Sequence, residues 1–482
     1  MAPSALVVRM GRLPWSLARS LLNLAPHHGF ASVIGARGLH SSSASLAADR
    51  TLPAGLISGQ ANTTCEDNPP YTAETPTTSY VMEALEHVTV DPGVVKAILH
   101  PDRELTVTLP VTMDSGEVEQ LTAHLVQHNN DRGPFKGGLV YHQDVTIEGL
   151  RSLSALNTWK TALMDVPFGG CKLGVAIDPR MLSEREKEKV TRRLVTAIYP
   201  LLGPNICVPA PDIGTDEKTM AHIFDQYSRI RGFSPGVVSG KPTWLHGCEG
   251  RDSASGRGSA MMTREFLRKV MKTRIDNCTF IVQGFGKNGA VAAEMLHEQG
   301  GKVIGVASSE TAVYNAAGLD IKALRAHMAS GKYLAEFPEG EPIANDDSFL
   351  AIPCDVVVLA AVNGTINSRT APTLQCGVVM EGSNAGITVE ANKILAARGI
   401  KVCPDLLTSG GGVVVSYMEY KSNMNNLALS LEEVVREQER YMTTAFRIVY
   451  ELARDRNISI RTAAYCVALQ RISRAGVERG LG

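Results

Sequence analysis

A glycine-rich turn between two apolar segments restricts the fold of this chain more than any other feature. The apolar run Phe280–Gln283 leads into the sequence GFGKNG, and a segment with helical spacing, Asn288–Gln299, follows. A second apolar run, Lys302–Ala307, comes next. Strand, glycine turn, helix and strand in this order are typical of one βαβ unit of a parallel doubly wound sheet. We therefore predict an α/β fold that contains such a sheet.

The glycines of this turn suit the binding of a dinucleotide. Gly284 permits the tight turn, Gly286 lets a pyrophosphate approach the backbone, and Gly289 lets the helix pack closely on the strand. The helix N-terminus offers free N–H groups to the phosphates. With Phe285 and Asn288, these glycines form the predicted dinucleotide-binding turn.

The end of the second strand bears on which dinucleotide the chain prefers. A carboxylate there would bind a ribose 2′-hydroxyl. Ser308 stands at this place instead, and Glu310 follows two residues later. A serine tolerates a 2′-phosphate that a carboxylate would repel, whereas Glu310 could take the role of the acid. The predicted cofactor is NAD or NADP, with a slight lean towards NADP or dual use.

Three lysines stand in apolar and glycine-rich stretches where a surface lysine would be unusual. They are Lys136 in GPFKGG, where we expect a turn, Lys160 in LNTWK and Lys172 in VPFGGCKLG; Asp212 follows in VPAPDIG. Singly, each has a structural explanation, such as a loop lysine, a snorkelling lysine or a helix cap. Together they predict a pocket for an anionic substrate. Apolar surroundings and two cationic neighbours would make Lys172 harder to protonate, which suits proton transfer.

The composition argues against several other classes of protein. A net charge of −1 implies no general attraction to nucleic acid or to anionic lipid. No apolar run approaches the roughly 20 residues that a membrane-spanning helix needs. The nine cysteines form no C-x-x-C pair, so we predict neither a metal site nor a disulfide framework.

The first 48 residues differ in composition from the rest of the chain. They contain four arginines and many serines but no Asp or Glu, a composition typical of an organelle transit peptide. We expect a mitochondrial matrix protein, with a chloroplast address and an ordinary disordered tail as the alternatives. Residues 49–78, rich in Thr, Pro and Asn, are predicted to be a linker.

The segments that hold these residues resemble those of the glutamate dehydrogenases, within the amino-acid dehydrogenase superfamily. The resemblance covers about residues 75–480, with motifs in the family's order: GPFKGG, TWKTALMDVPFGGCK, VPAPDIGT, VSGKP, GRDSASGRG, QGFG, EGSNAGIT and VSYMEY. It implies reversible NAD(P)-dependent oxidative deamination of L-glutamate to 2-oxoglutarate and ammonium, by a homo-hexamer.

The resemblance also implies a role for individual residues. Lys160 would hold the α-carboxylate of the substrate. Lys172 would polarise the carbonyl and activate water, and Asp212 would carry the proton to and from the amine. Ser255 and Asn384 would lie near the nicotinamide amide.

Four further residues would shape the substrate pocket. Relatives that act on leucine, valine or phenylalanine have apolar residues in place of Lys136 and Ser416, so both polar groups favour a second carboxylate. Arg251 would support the substrate or cofactor region. Asn157 replaces a usual methionine and would touch the substrate. The chain also departs from the family at four other positions: Val140, His246, Cys248 and Ser409.

The resemblance gives the predicted division of the chain. Residues 79–240 would form an α/β substrate and oligomerisation domain, and residues 241–420 a Rossmann-type dinucleotide-binding domain. Residues 421–482 would be helices that pack back on the first domain. Two alternatives stay open: a dehydrogenase for another amino acid, and a catalytically silent nucleotide-binding relative.

Overall fold

The computed structural model describes residues 76–480. The predicted transit peptide and nearly all of the predicted linker lie outside these residues. The linker was predicted to reach residue 78, but helix α1 already begins at Pro76. No helix in the described range is both long and apolar enough to cross a membrane.

The first sheet has five strands in the order β1-β2-β4-β3-β5. β1 pairs antiparallel with β2, β2 pairs antiparallel with β4, and β3 runs parallel to both of its neighbours. The strands are β1 Arg103–Thr112, β2 Val118–Asn129, β3 Phe135–Tyr141, β4 Gly170–Val175 and β5 Cys207–Pro211.

One strand of this sheet corrects the prediction from the sequence, and a second one was not predicted. The KGG segment was predicted to be a turn, but it lies within β3, all of whose residues are buried. Lys172 likewise lies in a strand, β4, that is buried throughout. Strands buried on both faces lack the polar alternation that identifies a strand from sequence, and their glycines imitate a turn signal.

The second sheet has seven strands in the order β12-β11-β10-β6-β7-β8-β9. The five strands from β12 to β7 are parallel, as predicted, whereas β8 and β9 add an antiparallel edge. The strands are β6 Thr279–Gln283, β7 Lys302–Ala307, β8 Thr311–Tyr314, β9 Glu341–Ala344, β10 Val356–Leu359, β11 Val378–Glu381 and β12 Lys401–Cys403. The predicted α/β fold class is confirmed, with a mixed rather than wholly parallel second sheet.

Fourteen α-helices in the described residues surround the two sheets. One of them begins with a capping box of Ser183 with Glu186, and another begins with a capping box of Ser430 with Glu433. The helices are α1 Pro76–Leu85, α2 Pro92–Ile98, α3 Ile147–Leu163, α4 Glu184–Ile198, α5 Glu217–Arg231, α6 Ala254–Phe266, α7 Lys287–Glu298, α8 Ile321–Ala329, α9 Asp347–Leu350, α10 Val389–Ala397, α11 Asp405–Thr408, α12 Gly411–Asn425, α13 Leu431–Arg456 and α14 Ile460–Glu478.

The C-terminal helices return to earlier parts of the chain. α14 packs against α1 and α3, and α13 packs against α6. One large apolar core therefore includes side chains from both ends of the described chain, such as Val81, Trp159 and Leu469.

Candidate active site

Glycines in the parallel strands of the first sheet make room for charged groups. Alternate residues of a strand face the same side, so Lys136 and Gly138 share one face of β3. A side chain at Gly138 would collide with Asp212, because its Cβ would lie 2.1 Å from the carboxylate Oδ2. The absence of a side chain at Gly138 therefore allows Asp212, directly after β5, to reach across β3.

Glycines also allow helix α3 to pack closely on β4. Gly170 and Gly174 flank Lys172 on one face of the strand. Side chains at these glycines would collide with residues of α3 and with Val145, which precedes this helix. Lys172 thus faces the side of the sheet that α3 covers. From α3, Asn157 donates a hydrogen bond to the backbone oxygen of Cys171 at 2.8 Å, next to Lys172.

Lys172 and Asp212 form a close ion pair at the centre of this site. Lys172 Nζ lies 2.6 Å from Asp212 Oδ2, with the lysine side chain 3% exposed and the carboxylate 26% exposed. Burial favours the neutral acid, but the charge and hydrogen bond of Lys172 outweigh it, so the pKa of Asp212 lies below its usual value. The prediction for Lys172 considered its apolar surroundings and two cationic neighbours, but not this carboxylate.

Lys160 joins the two halves of the described chain. Its Nζ donates a hydrogen bond of 2.7 Å to Asn384 Oδ1, in the turn after β11. The lysine is 5% exposed, and burial lowers its pKa although Asp405 opposes the shift. This contact places Lys160 beside Asn384, a residue predicted to lie near the cofactor.

Lys136 is a buried cation with no hydrogen-bond partner of its own among residues 76–480. It is 2% exposed, and burial, with the positive charge of nearby Arg251, lowers its pKa from 10.5 to about 7. Arg251 Nε in turn donates to Ser416 Oγ at 2.9 Å. Lys136, Arg251 and Ser416 thus form one polar cluster, on the side of the pocket that β3 and α12 line.

A second buried ion pair, which the sequence did not reveal, fixes helix α12. Lys241 Nζ lies 2.6 Å from Glu419 Oε1, and both side chains are almost fully buried. Glu419 also accepts a hydrogen bond of 2.7 Å from the backbone N–H of Gly240. Ser416 lies one helical turn before Glu419, so the pair sets the position of Ser416 relative to the first sheet.

The glycine turn has the geometry that a dinucleotide requires. Gly284 has a φ of +100°, and a side chain there would collide with the backbone of Ala360. A Cβ at Gly289 would lie 1.7 Å from the backbone oxygen of Gly284. A Cβ at Gly286, by contrast, would meet no other part of the protein within 4 Å.

Space for the cofactor lies directly over this turn. The N-terminus of α7 has no side-chain cap at Gly286, so its N–H groups are available to phosphates. A cleft of about 380 Å³ is lined by Phe285, Gly286, Lys287 and Arg325, among others. The described residues therefore fit a dinucleotide at this turn.

The remaining predicted cofactor residues lie around the same edge of the second sheet. Ser308 directly follows β7, and its hydroxyl donates to the backbone oxygen of Thr311 at 3.0 Å. Glu310 is exposed. Ser255 lies in α6 against α12, where a Cβ at Gly412 would approach its hydroxyl to 2.7 Å. Asn288 lies in the first turn of α7, and its backbone oxygen approaches Gly256 of α6.

Apart from Asn157, four residues depart from the family pattern. Val140 is buried in β3, and Cys248 is buried in the loop before α6. His246 has a φ of +62° and contacts the rings of Phe224 and Phe233. Ser409 donates to the backbone oxygen of Asp405 at 2.6 Å.

A dinucleotide turn beside a buried cationic pocket defines a nicotinamide-nucleotide-dependent dehydrogenase. Two family profiles match the chain: the Glu/Leu/Phe/Val dehydrogenase dimerisation domain over residues 101–229, and the Glutamate/Leucine/Phenylalanine/Valine dehydrogenase domain over residues 247–480. The chain belongs to this family, which confirms the resemblance seen in the sequence.

Curated relatives and solved structures agree with this assignment. Glutamate dehydrogenase A2 of Halobacterium salinarum is 39% identical over 83% of this chain and 96% of its own length. The NAD-specific glutamate dehydrogenase A of that organism is 39% identical over 83% of this chain and 91% of its own length. The hetero-hexameric glutamate dehydrogenase of Thermus thermophilus is 34% identical, with a TM-score of 0.79 over 84% of this chain and 96% of that one.

Proposed function

We propose that this protein catalyses the reversible oxidative deamination of L-glutamate to 2-oxoglutarate and ammonium. The observation that carries the proposal is the buried ammonium of Lys136, close to Arg251 and Ser416. An apolar amino acid would leave the Lys136 ammonium without a partner in a desolvated site, whereas a second carboxylate would pair with it. The relatives named glutamate dehydrogenase support the same substrate.

The reaction divides between the cofactor and the chain. When bound, the nicotinamide ring supplies the hydride acceptor for the α-carbon. Lys160 binds the α-carboxylate of the substrate and, through its hydrogen bond to Asn384, keeps this carboxylate next to the cofactor side of the cleft. Lys136 binds the other carboxylate, so the α-carbon is held between two fixed cations.

Lys172 and Asp212 are responsible for the proton transfers. Oxidation of the amino acid leaves an iminium ion, to which water must add. Lys172 polarises this water and the carbonyl that forms. Asp212 accepts the proton that the water loses on addition and transfers it to the departing amine. Their separation of 2.6 Å permits direct proton exchange between them.

An assay of amino-acid-dependent NAD(P)H production tests the proposal. We expect the highest kcat/KM with glutamate, and little activity with leucine, valine or phenylalanine. Higher activity with an apolar amino acid would make the protein a dehydrogenase of that substrate. No production with any of them, despite measurable dinucleotide binding, would indicate the catalytically silent relative.

We propose that the protein uses NADP or both dinucleotides rather than NAD alone. Ser308 stands where a carboxylate would exclude the 2′-phosphate. Ser308→Asp should therefore lose NADP turnover and keep or gain NAD turnover, which a comparison of kcat/KM for the two cofactors measures. Equal loss with both would mean that Ser308 does not face the ribose, and Glu310 would be the next residue to substitute.

A homo-hexamer is part of the proposal, because the related enzyme of Thermus thermophilus is described as a hexamer, although a hetero-hexamer. Light scattering of the purified protein should give a mass about six times that of the 51.7 kDa chain. A dimer or monomer at assay concentrations would contradict this part of the proposal.

We also propose that the protein is imported into the mitochondrial matrix. The basic, serine-rich and acid-free composition of residues 1–48 supports this location. A fluorescent reporter fused to these residues should enter mitochondria, and the chain without them should stay soluble and active. A reporter that enters chloroplasts or stays in the cytosol would overturn the mitochondrial address.

A further inference from the structure

The C-terminal helix α14 contacts the segments that carry the two partners of the Lys160–Asn384 hydrogen bond. Lys160 lies in α3, and Asn384 lies in the turn of residues 382–387 between β11 and α10. The two residues are 224 positions apart in the sequence. Neither local helix geometry nor the strand pairing of one sheet sets the distance between them. Packing between elements sets it instead: α11 packs on α3, and α14 packs on α3 as well.

Arg471 of α14 holds the end of α3. Its Nη1 donates hydrogen bonds to the last carbonyl groups of that helix, 2.9 Å to Ala162 and 2.7 Å to Leu163. The last carbonyls of an α-helix lack partners within the helix. Ala162 O also accepts from the backbone N–H of Asp165 at 3.2 Å and from Arg132 Nη1 at 3.3 Å. Arg471 therefore shares this end of α3 with them and is the group that links it to α14. The arginine is thus attached to α3 within one turn of Lys160.

Arg461 of α14 holds the supports of the Asn384 turn. Its guanidinium lies 2.8 Å from the carboxylate of Glu381 and 3.7 Å from that of Asp405. Asp405 accepts a hydrogen bond of 3.0 Å from the backbone N–H of Ala385. Glu381 accepts one of 2.9 Å from the backbone N–H of Ile387. The two carboxylates therefore hold the backbone on the C-terminal side of Asn384.

The backbone of this turn needs such support. Ala385, directly after Asn384, has a φ of +46°, a conformation that an alanine adopts only when its surroundings impose it. The three charged side chains are all nearly fully buried, and the ring of Tyr80 lies 4.7 Å from the Arg461 guanidinium. A buried ionic cluster adds little net stability compared with apolar residues. The role of this cluster is therefore to fix the geometry of the turn.

We propose that Arg461 and Arg471 are positioning residues, through which α14 sets the distance between Lys160 and Asn384. Arg461 acts through Asp405 and Glu381 on the turn, and Arg471 acts on the end of α3. The proposal rests on the proposed function, because it assigns these arginines to the alignment of the substrate α-carboxylate with the cofactor.

Asp405→Asn tests the support of the turn with little change in shape. Asp405 accepts from Ala385 N–H with Oδ2 and from Leu406 N–H with Oδ1. An amide has one acceptor oxygen and keeps only one of these bonds. We expect kcat/KM for glutamate to fall by up to about a hundredfold, the loss typical of a misplacement of about 1 Å.

A double variant separates positioning from a merely structural role. If Asp405 acts through Asn384, the double variant Asp405→Asn with Asn384→Ala should lie within about threefold of Asn384→Ala alone. If Asp405 only stabilises the fold, the two losses should multiply. Multiplied losses would overturn the proposal.

Substitutions on α14 provide the second measurement and its control. Arg471→Gln should lower kcat/KM for glutamate. Arg461→Lys should lower it less than Arg471→Gln does, because the ammonium keeps the charge although it reaches one carboxylate only. Arg474→Gln is the matched control, since Arg474 lies in the same helix with its side chain 82% exposed, and its activity should be unchanged.

Two outcomes would count against different conclusions. Unchanged kcat/KM in both Arg471→Gln and Asp405→Asn would overturn the positioning role while the protein remains a glutamate dehydrogenase. An unmodified protein without glutamate-dependent NAD(P)H production would overturn the proposed function itself, and this inference with it.

Discussion

The substrate pocket and the dinucleotide turn are constructed in opposite ways. The pocket on the first sheet depends on the side chains of Lys136, Lys160, Lys172 and Asp212, each held in a largely buried place. The turn of the second sheet depends on backbone N–H groups and on the space left at Gly286. Chemical identity should therefore matter most in the first region, and available volume in the second.

The largest effect should come from the ion pair at the centre of the pocket. Lys172→Ala and Asp212→Asn should each lower kcat by roughly 10²–10⁴-fold, the usual contribution of a general acid or base. The double variant should be little worse than the worse single variant if both act on one proton sequence. Binding of NAD(P)H, measured by fluorescence, should stay near normal. Near-normal kcat in one variant would remove that residue from the mechanism.

The next effect concerns the choice of substrate. Lys136→Leu with Ser416→Val removes the polar end of the pocket, so preference should move from glutamate towards monocarboxylic amino acids. Loss of a charged partner in a desolvated site costs on the order of 2–5 kcal/mol, or roughly 30- to several-thousand-fold in kcat/KM for glutamate. A fall of less than about tenfold would mean that Lys136 does not bind the side-chain carboxylate.

Two alanine substitutions at the turn would sharpen the contrast with the pocket. Gly286→Ala meets no protein atom within 4 Å, so it should leave stability unchanged yet weaken dinucleotide binding by about tenfold, or 1.4 kcal/mol. Gly289→Ala would collide with the backbone oxygen of Gly284 and should lower stability as well. Thermal unfolding and fluorescence titration separate the two effects. Equal stability losses would contradict the assignment of Gly286 to ligand space.

The last effect concerns stability rather than activity, and it is a dependence of stability on pH. The pKa of Lys136 is about 7 in the folded protein, against 10.5 normally, so the unfolded chain binds more protons between these values. Stability therefore rises with pH across this window. Lys136→Met removes that dependence and should stabilise the protein by on the order of a few kcal/mol below pH 7, with a gain that shrinks towards pH 10.5.

Urea unfolding at about pH 6.5 and at about pH 9.5 measures this difference. Lys332→Met, at an exposed lysine, is the control and should change stability equally at both pH values. A gain from Lys136→Met that does not depend on pH would indicate better packing rather than relief of a buried charge.

Local patterns predicted much of the fold. The βαβ unit with Gly284, Gly286 and Gly289 was recognisable because a strand, a tight turn and a helix follow one another directly in the sequence. The antiparallel strands β8 and β9 were not predicted. Both are short, and unlike the fully buried β10 and β11 neither is a continuous apolar run. Lys136 and Lys172 were both singled out as unusual lysines. The segment of Lys136 was predicted to be a turn rather than a buried strand, and no strand was predicted around Lys172.

Contacts between distant parts of the chain could not be predicted in this way. The hydrogen bond from Lys160 to Asn384 and the ion pair between Lys241 and Glu419 join residues that no local period relates. The family resemblance indicated a role for Lys160 and for Asn384 separately, but nothing in the sequence predicted that the two residues would be in contact. Such pairs depend on how the helices cross the two sheets.

The buried pair of Lys241 and Glu419 has a consequence for redesign of the enzyme. Together with the Gly240 N–H bond, it ties α12 to the segment that follows the first sheet, independently of what the pocket contains. Positions 136 and 416 can therefore be substituted without disturbing the position of α12, whereas positions 241 and 419 are needed to hold that helix in place. A library that varies the former pair and leaves the latter constant should yield new amino-acid specificities at a higher frequency than random mutagenesis of the whole chain.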